Sequence, residues 1–222
     1  MFNVAIDGPA GAGKSTIAKM VAKKMNLLYV DTGSMYRAMA LACIRQGIKA
    51  GEHEKVAEAI QDLKITLEYE DGVQQVILNG ENVNAYIRTE EVGNMTSAIA
   101  TYGEVREKLV AMQQAIAREK EVIMDGRDIG TCVLKDAPVK IYLTAEPRTR
   151  AERRYLELKE KGQECDIDTI EKDIIERDYR DMHREISPLK QAEDAVLVDS
   201  SNMTIEQVVE AISDIIKKCR KS

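Results

Sequence analysis

The amino-acid sequence predicts an α/β protein of three layers, in which helices cover both faces of a five-stranded parallel sheet. Five short apolar runs, typical of buried strands, alternate with segments whose apolar residues recur at helical spacing. Such alternation favours parallel strands joined by helices. Between about residues 52 and 88 the pattern changes to that of a small antiparallel meander. We therefore expect a single domain over residues 1–222, with this meander as an insertion.

The first strand is followed at once by a glycine-rich loop and a helix. Residues 2–6 are rich in strand formers, and helical spacing of apolar residues continues from Ile17 to about residue 25. Between them, residues 8–15 read GPAGAGKS and fit the pattern G-x-x-x-x-G-K-[ST]. Glycines let backbone N–H groups face phosphate oxygens, Lys14 adds positive charge beside the outer phosphates, and the Ser15 hydroxyl can ligate Mg²⁺. With these flanks, the motif predicts a nucleoside triphosphate site.

Four further apolar runs predict the remaining strands, and helix patterns separate them. The strands are residues 27–30, 122–125, 139–143 and 195–198, and the helices include residues 35–47, 89–100 and 105–117. The last helix follows a capping box that runs from Thr204 to Gln207. Arg37, in the first of these helices, is equally consistent with a solvated surface charge and with a phosphate ligand.

The insertion combines a short helix with two turns. Val56, Ile60 and Leu63 mark the helix, and residues 65–69 and 73–78 alternate as half-buried strands do. Asp-Gly and Asn-Gly pairs at residues 71–72 and 79–80 are typical hairpin turns, the second leading towards Val83. The position of the insertion favours a substrate-side subdomain that covers a substrate pocket, and the alternative is that it only lengthens the fold.

Ionisable residues follow the apolar strand at residues 122–125. Asp125, Arg127 and Asp128 lie within four positions, at the carboxyl end where α/β proteins place functional groups. In phosphate-loop proteins an acidic residue at this point often binds Mg²⁺ or the water ligands around it. A turn aspartate before glycine is the plain alternative for Asp125. The clustering favours function, so Asp125 and Ser15 are the predicted metal ligands.

Two charged helices joined by a polar, glycine-containing loop follow the strand at residues 139–143. The same-face positions are Arg150, Arg153 and Arg154 in the first helix and Arg177, Asp181 and Arg184 in the second. These helices predict a mobile lid at about residues 148–170, which would neutralise a transferred phosphoryl group and exclude water. Because Glu152 and Glu157 are interleaved, a salt-bridged surface helix is the alternative.

Composition limits the function classes. The chain is 44% hydrophobic and 32% charged, which is typical of globular proteins, and its net charge of −6 argues against general nucleic-acid binding. The four cysteines and two histidines are too scattered for a metal cluster. No apolar run approaches the ~20 residues of a membrane span, and because the first predicted strand begins at once we expect no signal peptide. We expect a cytoplasmic protein without nucleic-acid or membrane partners. Since no long exposed apolar stripe demands a partner, we expect a monomer.

The whole chain closely resembles the bacterial cytidylate (CMP) kinases of the nucleoside monophosphate kinase group of P-loop proteins. The segments that carry the resemblance are Ile6–Thr16, Asp31–Arg37, Ile87–Val92, Asp125–Thr131 and Glu176–Asp181. The phosphate loop alone would specify only a triphosphate site. The segment DGRDIGT at residues 125–131 and the meander are far more particular to this family.

The resemblance implies the reaction ATP + (d)CMP → ADP + (d)CDP with Mg²⁺, and it implies a role for each matching residue. Catalytic roles fall on Lys14, Arg127, Arg154 and Arg184. ATP binding falls on Gly8, Pro9, Ala10, Gly11, Ala12, Gly13, Lys14, Ser15 and Thr16. CMP binding falls on Thr32, Arg37, Ser97, Arg106, Arg127, Asp128, Arg177, Asp181 and Arg184. The family often has serine at the position of Thr32, and both residues keep a hydroxyl.

Within the implied CMP site, the acceptor phosphate is bound by Arg37, Arg127 and Arg184. Asp128 recognises the base together with Ser97 and Arg106. A carboxylate suits cytosine, whose exocyclic amine is a hydrogen-bond donor. Uracil would present a carbonyl there and leave the carboxylate unpaired, which discriminates strongly. Thr32, Arg177 and Asp181 are implied on the ribose side.

Other functions are less consistent with the sequence. A kinase for another small acceptor, such as UMP, AMP or shikimate, is the rival within the enzyme class. A regulatory GTPase would need an Asn-Lys-x-Asp segment and an Asp-x-x-Gly segment, and the chain contains neither. An ATP-dependent nucleic-acid motor conflicts with the net charge and the length.

Overall fold

The computed structural model describes residues 1–221, which fold into two compact units. Unit 1 consists of Met1–Tyr29 and the chain from Ala117 onward, and unit 2 is Val30–Ile116. In chain order the elements are β1 (Val4–Asp7), α1 (Lys14–Met25), β2 (Leu28–Asp31), α2 (Thr32–Arg45), α3 (His53–Ala59), β3 (Ile65–Glu70), β4 (Val73–Leu78), β5 (Glu81–Asn82), α4 (Glu90–Ile99), α5 (Gly103–Glu119), β6 (Val122–Gly126), β7 (Val139–Thr144), α6 (Pro147–Glu160), α7 (Ile167–His183), β8 (Val196–Asp199) and α8 (Ile205–Lys221).

The main sheet has five parallel strands in the order β2-β6-β1-β7-β8. β1 lies at its centre, and all four of its residues are buried. The register places Asp7 beside Gly126 of β6 and Tyr142 of β7, so β1 and β6 end level with each other while β7 continues to Thr144. This sheet and the separate antiparallel sheet β3-β4-β5 confirm the predicted fold class.

The core of unit 1 lies between this sheet and helices α1 and α8. Ile6 and Ile141 of the sheet pack with Ile17 of α1 and with Ile212 and Ile216 of α8, and all five are buried. The predicted capping box opens α8, because the Thr204 N–H donates to Gln207 Oε1 and the Gln207 N–H donates to Thr204 Oγ1. Among residues 1–221, no helix has both the length and the apolar character needed to cross a membrane.

Several element boundaries differ from those predicted. β1 covers residues 4–7 rather than 2–6, α2 begins at Thr32 rather than residue 35, and α3 ends at Ala59, before Ile60 and Leu63. A π-helical turn, Ile129–Val133, follows β6 and was not expected.

Arg184 lies beyond the end of α7, so the prediction that it shares a helix face with Arg177 and Asp181 is wrong. Its backbone is extended (φ −66°, ψ 143°). The chain folds back so that the Leu189 N–H donates to the Asp181 carbonyl over 2.8 Å. This returning loop satisfies a carbonyl in the last turn of α7, which is a non-local way to end a helix.

Candidate active site

The glycine-rich loop connects β1 to α1 and is held close to β7. Gly8 has φ 150°, and a Cβ there would lie 1.9 Å from the Leu143 carbonyl oxygen, so only glycine fits. Gly13 precedes α1 in the left-handed conformation (φ 82°), and it has no side chain to cap the helix. The first-turn N–H groups of α1 therefore face the loop with the positive end of the helix dipole, as an anion site requires.

Lys14 is the buried cation of this loop. Its Nζ donates to the Pro9 carbonyl over 2.7 Å, which holds the ammonium against the loop. Burial and then the charge of Arg127 lower the pKa of Lys14 to about 7, against the opposing effect of Asp125, Asp7 and Asp181. A bound anion would stabilise the charged form of Lys14, because it would pair with the ammonium directly.

Asp125 connects the loop to β6. Its Oδ2 accepts a hydrogen bond from Ser15 Oγ over 2.8 Å, and its Oδ1 accepts one from the Tyr29 hydroxyl, also over 2.8 Å. A hydroxyl beside a buried carboxylate offers the hard oxygen donors that Mg²⁺ prefers. Within residues 1–221 no cluster of three His, Cys, Asp or Glu side chains could hold a metal by itself. The two oxygens thus fit a Mg²⁺ that takes its other ligands from phosphate and water.

Asp7, the last residue of β1, holds the π-helical turn that follows the DGRD segment. Its two carboxylate oxygens accept from the Ile129 and Gly130 N–H groups, each over 2.7 Å. A Cβ at Gly130 would lie 3.3 Å from Asp7 Oδ2 and 3.2 Å from Lys140 Cδ, so a larger residue would disturb this contact. Burial raises the pKa of Asp7 to about 6, despite the two backbone donors.

Arg127 and Asp181 form an ion pair between the end of β6 and α7. Arg127 Nε donates to Asp181 Oδ2 over 2.8 Å, and both side chains are about one-fifth exposed (21% and 20%). Burial by itself would raise the pKa of Asp181, but the nearby arginines 127, 177 and 184 outweigh it and lower the pKa. The structure therefore places three predicted CMP-site arginines around one carboxylate.

Asp128 and Arg184 are also neighbours. Arg184 Nη2 lies 3.9 Å from Asp128 Oδ1, and both side chains are nearly buried. Arg184 Nε donates to the Ser187 carbonyl over 2.7 Å, which ties the arginine to the loop after α7. Although Arg184 is not on the predicted helix face, it reaches the same group of side chains.

The three arginines of α6 have different partners. Arg150 is buried and donates to the Ala10 carbonyl of the phosphate loop (2.9 Å), to the Ala145 carbonyl (2.8 Å) and to Asp178 of α7 (2.6 Å). Arg153 donates to the Ser200 carbonyl over 2.7 Å. Arg154 is half exposed and pairs with Glu157 of its own helix. The salt-bridged surface alternative thus describes Arg154 in this structure, whereas Arg150 joins three segments of unit 1.

Unit 2 carries the other four predicted CMP-site residues. Thr32 is buried as the first residue of α2, and Arg37 of the same helix donates from Nη1 to the Ile87 carbonyl over 3.3 Å. Arg37 Nη1 also lies 3.7 Å from a Cβ built at Gly93, and Ser97 Oγ donates to the Gly93 carbonyl. Buried Arg106 lies 6.0 Å from the centre of the Tyr36 ring. The unit thus gathers these residues on α2, α4 and the start of α5.

Sequence reasoning missed Asp7, Tyr29 and Gln74, each of which bonds to a predicted site segment. The partners of Asp7 and Tyr29 are about one hundred residues away in the chain, so no local pattern indicates them. The sequence does contain a signal for Gln74, because it shares the inward register of β4 with Val76 and Leu78. A polar residue in an apolar register usually has a specific partner.

Comparisons with known proteins agree with this architecture. The family model for cytidylate kinases matches residues 4–218. A cytidylate kinase of Caldicellulosiruptor saccharolyticus is 50% identical over 217 residues, covering 98% of this chain and 96% of the relative. A cytidylate kinase of Clostridium acetobutylicum is 51% identical, covering 98% of each chain.

Solved structures support the fold alone, because their sequence identities are low. A shikimate kinase from Bacteroides thetaiotaomicron has a TM-score of 0.50 at 13% identity and covers 97% of this chain and 98% of its own. A gluconokinase from Sinorhizobium meliloti has a TM-score of 0.50 at 12% identity and covers 99% and 94%. With the family match over nearly its whole length, the chain is a phosphotransferase of the P-loop kinase fold and belongs to the cytidylate kinase family.

Proposed function

We propose that this protein transfers the γ-phosphoryl group of ATP to CMP and dCMP, giving ADP and the corresponding diphosphates, with Mg²⁺. The observation that carries the proposal is the arrangement at the carboxyl ends of the central strands in a member of this family. There the phosphate loop and Asp125 lie in the same unit as the paired residues Arg127–Asp181 and Asp128–Arg184. Carboxyl ends of parallel strands are where α/β proteins bind ligands.

On the donor side, residues 8–16 would bind the ATP phosphates. The uncapped N–H groups at the start of α1 and the buried Lys14 ammonium supply positive charge at one point. When bound, Mg²⁺ would lower the charge repulsion between the ATP phosphates and the incoming acceptor. Ser15 and Asp125 would hold it, because their oxygens already lie 2.8 Å apart and provide the hard donor set that it requires.

On the acceptor side, Asp128 would accept a hydrogen bond from the cytosine amine, and arginines 127 and 184 would bind the acceptor phosphate. Arginine suits a phosphate dianion because its planar N–H fork donates two bonds at once. Asp181 would orient Arg127, since the two are already paired. The roles of Arg177, Thr32, Arg37, Ser97 and Arg106 follow from the family resemblance and are proposed on that basis.

The phosphoryl transfer depends little on a general base. Phosphoryl transfer between nucleotides depends mainly on positioning and on neutralising charge at the moving group. Lys14, Arg127, Arg184 and Arg154 would supply that charge. Arg154 is the half-exposed arginine of α6 and would turn from Glu157 to the phosphates when the proposed lid, at about residues 148–170, closes. Closure would also exclude water that could hydrolyse ATP.

A coupled assay of ADP release would test the reaction. MgATP would be supplied with CMP, dCMP, UMP, AMP, GMP or shikimate at equal sub-millimolar concentrations. We expect turnover to be strongest with CMP and dCMP. Turnover with another acceptor alone would reject the cytosine pocket but keep the kinase, and no turnover with any acceptor would reject the proposed reaction.

The single-domain organisation over residues 1–222, with an insertion at about 52–88, is proposed together with this activity. A monomeric state and a cytoplasmic location likewise remain predictions. Sedimentation at several protein concentrations would test the monomer, since a mass that grows with concentration would contradict it.

A further inference from the structure

Gln74 lies on the inward face of β4 in the inserted sheet of unit 2. Its neighbours in the same register, Val76 and Leu78, are buried core residues, and Gln74 is itself only 9% exposed. A buried amide is costly unless its hydrogen bonds are satisfied. Its bonding partners therefore indicate why a glutamine occupies this position.

The Gln74 side chain bonds to the connection between β2 and α2. Gln74 Oε1 accepts from the Asp31 N–H over 2.9 Å, and Gln74 Nε2 donates to Ser34 Oγ over 2.7 Å. The same nitrogen lies 3.4 Å from the Asp31 carbonyl oxygen, to which Ser34 Oγ donates over 2.7 Å. Both ends of the amide are thus used within one turn of α2.

Asp31 fixes the same turn from the other side. It caps α2, because Asp31 Oδ1 accepts from the Ser34 N–H over 3.0 Å. Asp31 Oδ2 pairs with Arg88 Nη2 over 3.0 Å. The backbone of β4 is held in turn by Asn84, whose side chain donates to the Gln74 carbonyl and accepts from the Val76 N–H, each over 2.9 Å. These bonds form a continuous polar network from β4 to the first turn of α2.

We propose that Gln74 is a positioning residue for the acceptor nucleotide. The inference rests on the proposed function, which assigns acceptor binding to Thr32 and Arg37. Thr32 directly follows Asp31 and begins α2, and Arg37 lies on the second turn of the same helix. By fixing residues 31 and 34, Gln74 sets the position from which both side chains reach the acceptor. The meander then acts as a support for acceptor binding and not only as an extension of the fold.

The direction of the bonds explains why glutamine is required. The Asp31 N–H needs an acceptor, whereas Ser34 Oγ, having donated its proton to the Asp31 carbonyl, needs a donor. A primary amide provides one of each in a rigid plane. Leucine would satisfy neither group, and glutamate would place a carboxylate oxygen against Ser34 Oγ and the Asp31 carbonyl.

The test compares Gln74→Leu with Gln75→Leu in the full chain. Gln75 is the matched control, because it has the same side chain on the opposite face of β4, and its hydrogen bonds within residues 1–221 go to Asn82, Asn84 and Val73. Asn84 keeps its bond to the Gln74 carbonyl when Gln75 is replaced. We expect Gln74→Leu to raise the KM for CMP about tenfold, as loss of a buried hydrogen bond predicts, while the KM for ATP stays within about twofold. Gln75→Leu should leave both constants within about twofold.

A second measurement tests directly how firmly the turn at residues 31–34 is held. Hydrogen exchange of the Ser34 amide should be faster in Gln74→Leu than in the unchanged protein or in Gln75→Leu. If Gln74→Leu does not fold, Ser34→Ala removes one of the two Gln74 contacts, the acceptor of Nε2, by a smaller truncation and should raise the KM for CMP in the same selective way.

The possible failures are distinguishable. An unchanged KM for CMP with unchanged Ser34 exchange would overturn the positioning role, and so would equal rises in both KM values, which would indicate a general structural effect. If the unchanged protein shows no CMP turnover at all, the proposed function fails first and the positioning role falls with it.

Discussion

Lys14 carries the clearest electrostatic signature of the site. Its ammonium is buried, lies near the Arg127 charge and has a pKa of about 7, so near neutral pH it is often uncharged before any nucleotide binds. Triphosphate oxygens favour the charged form, because each brings an opposite charge next to the nitrogen. Binding of the donor must therefore raise the pKa of Lys14 and draw a proton from solution.

We expect MgATP binding to take up a proton at alkaline pH. At pH 8, above the free pKa of about 7, most sites should take up a proton on binding, and affinity should fall as pH rises further above 7. Isothermal titration calorimetry in two buffers of different ionisation enthalpy measures this uptake. Lys14→Arg is the control, since arginine stays charged and should show little uptake. Equal heats in both buffers would contradict the lowered pKa.

Asp128 is predicted to decide between cytosine and uracil. Asp128→Asn keeps the shape but replaces one acceptor with an N–H₂ donor, which opposes the cytosine amine and suits the uracil carbonyl. We expect kcat/KM for CMP to fall by about 10- to 100-fold, the ratio of CMP to UMP use to fall further, and the KM for ATP to change little. Steady-state kinetics with both acceptors checks this. Asp136→Asn, on an exposed loop, should change neither, and an unchanged ratio in Asp128→Asn would remove Asp128 from the base pocket.

At the scale of elements, α6 carries one buried arginine and one half-exposed arginine with different partners. Arg150 and Asp178 form a buried pair at 2.6 Å, and Arg150 also bonds to the phosphate loop. Removing one member of a buried pair leaves an uncompensated charge and costs about 3–5 kcal/mol. Arg154 pairs with exposed Glu157, and such surface pairs contribute little to stability.

The variants Arg150→Met and Arg154→Met should therefore behave in opposite ways. We expect Arg150→Met to lower the midpoint of thermal unfolding by about 6–12 °C, and Arg154→Met to change it by less than about 3 °C. Arg154→Met should instead lower kcat about a hundredfold, as loss of a charge-stabilising donor does. Calorimetry and single-acceptor kinetics on both proteins make the comparison. If Arg154→Met kept full kcat, the lid role would pass to another arginine.

The same elements show what the sequence could and could not predict. The strands, the phosphate loop and the α8 capping box were predicted because each depends on local periodicity or on residues three apart. The end of α7 before Arg184 was predicted wrongly, since the Leu189 N–H ends it from a returning loop. The π-helical turn was missed for a similar reason, because Asp7 holds it from another strand. Long-range hydrogen bonds leave no periodic trace in a sequence.

At the scale of the whole molecule, the chain leaves unit 1 after Tyr29 and returns to it at Ala117. All proposed ATP-binding residues, 8–16, belong to unit 1. Regions of one chain can open with different free energies, and a ligand stabilises only those states that keep its site intact. The two units should therefore respond differently to the donor nucleotide alone.

We expect MgATP without acceptor to slow hydrogen exchange in unit 1 more than in unit 2. At about 100 times its Kd, it adds about 2.7 kcal/mol to openings that destroy the site, so exchange of β1 and α1 amides should slow up to about a hundredfold. Amides of β3 and β4 should change by less than about twofold. Exchange mass spectrometry measures both, and Lys14→Met under the same conditions should show little slowing in either unit. Equal slowing of exchange in both units would contradict this expectation. It would mean that the two units open together as one cooperative structure. Donor binding would then stabilise the acceptor-side helices as strongly as the phosphate loop itself.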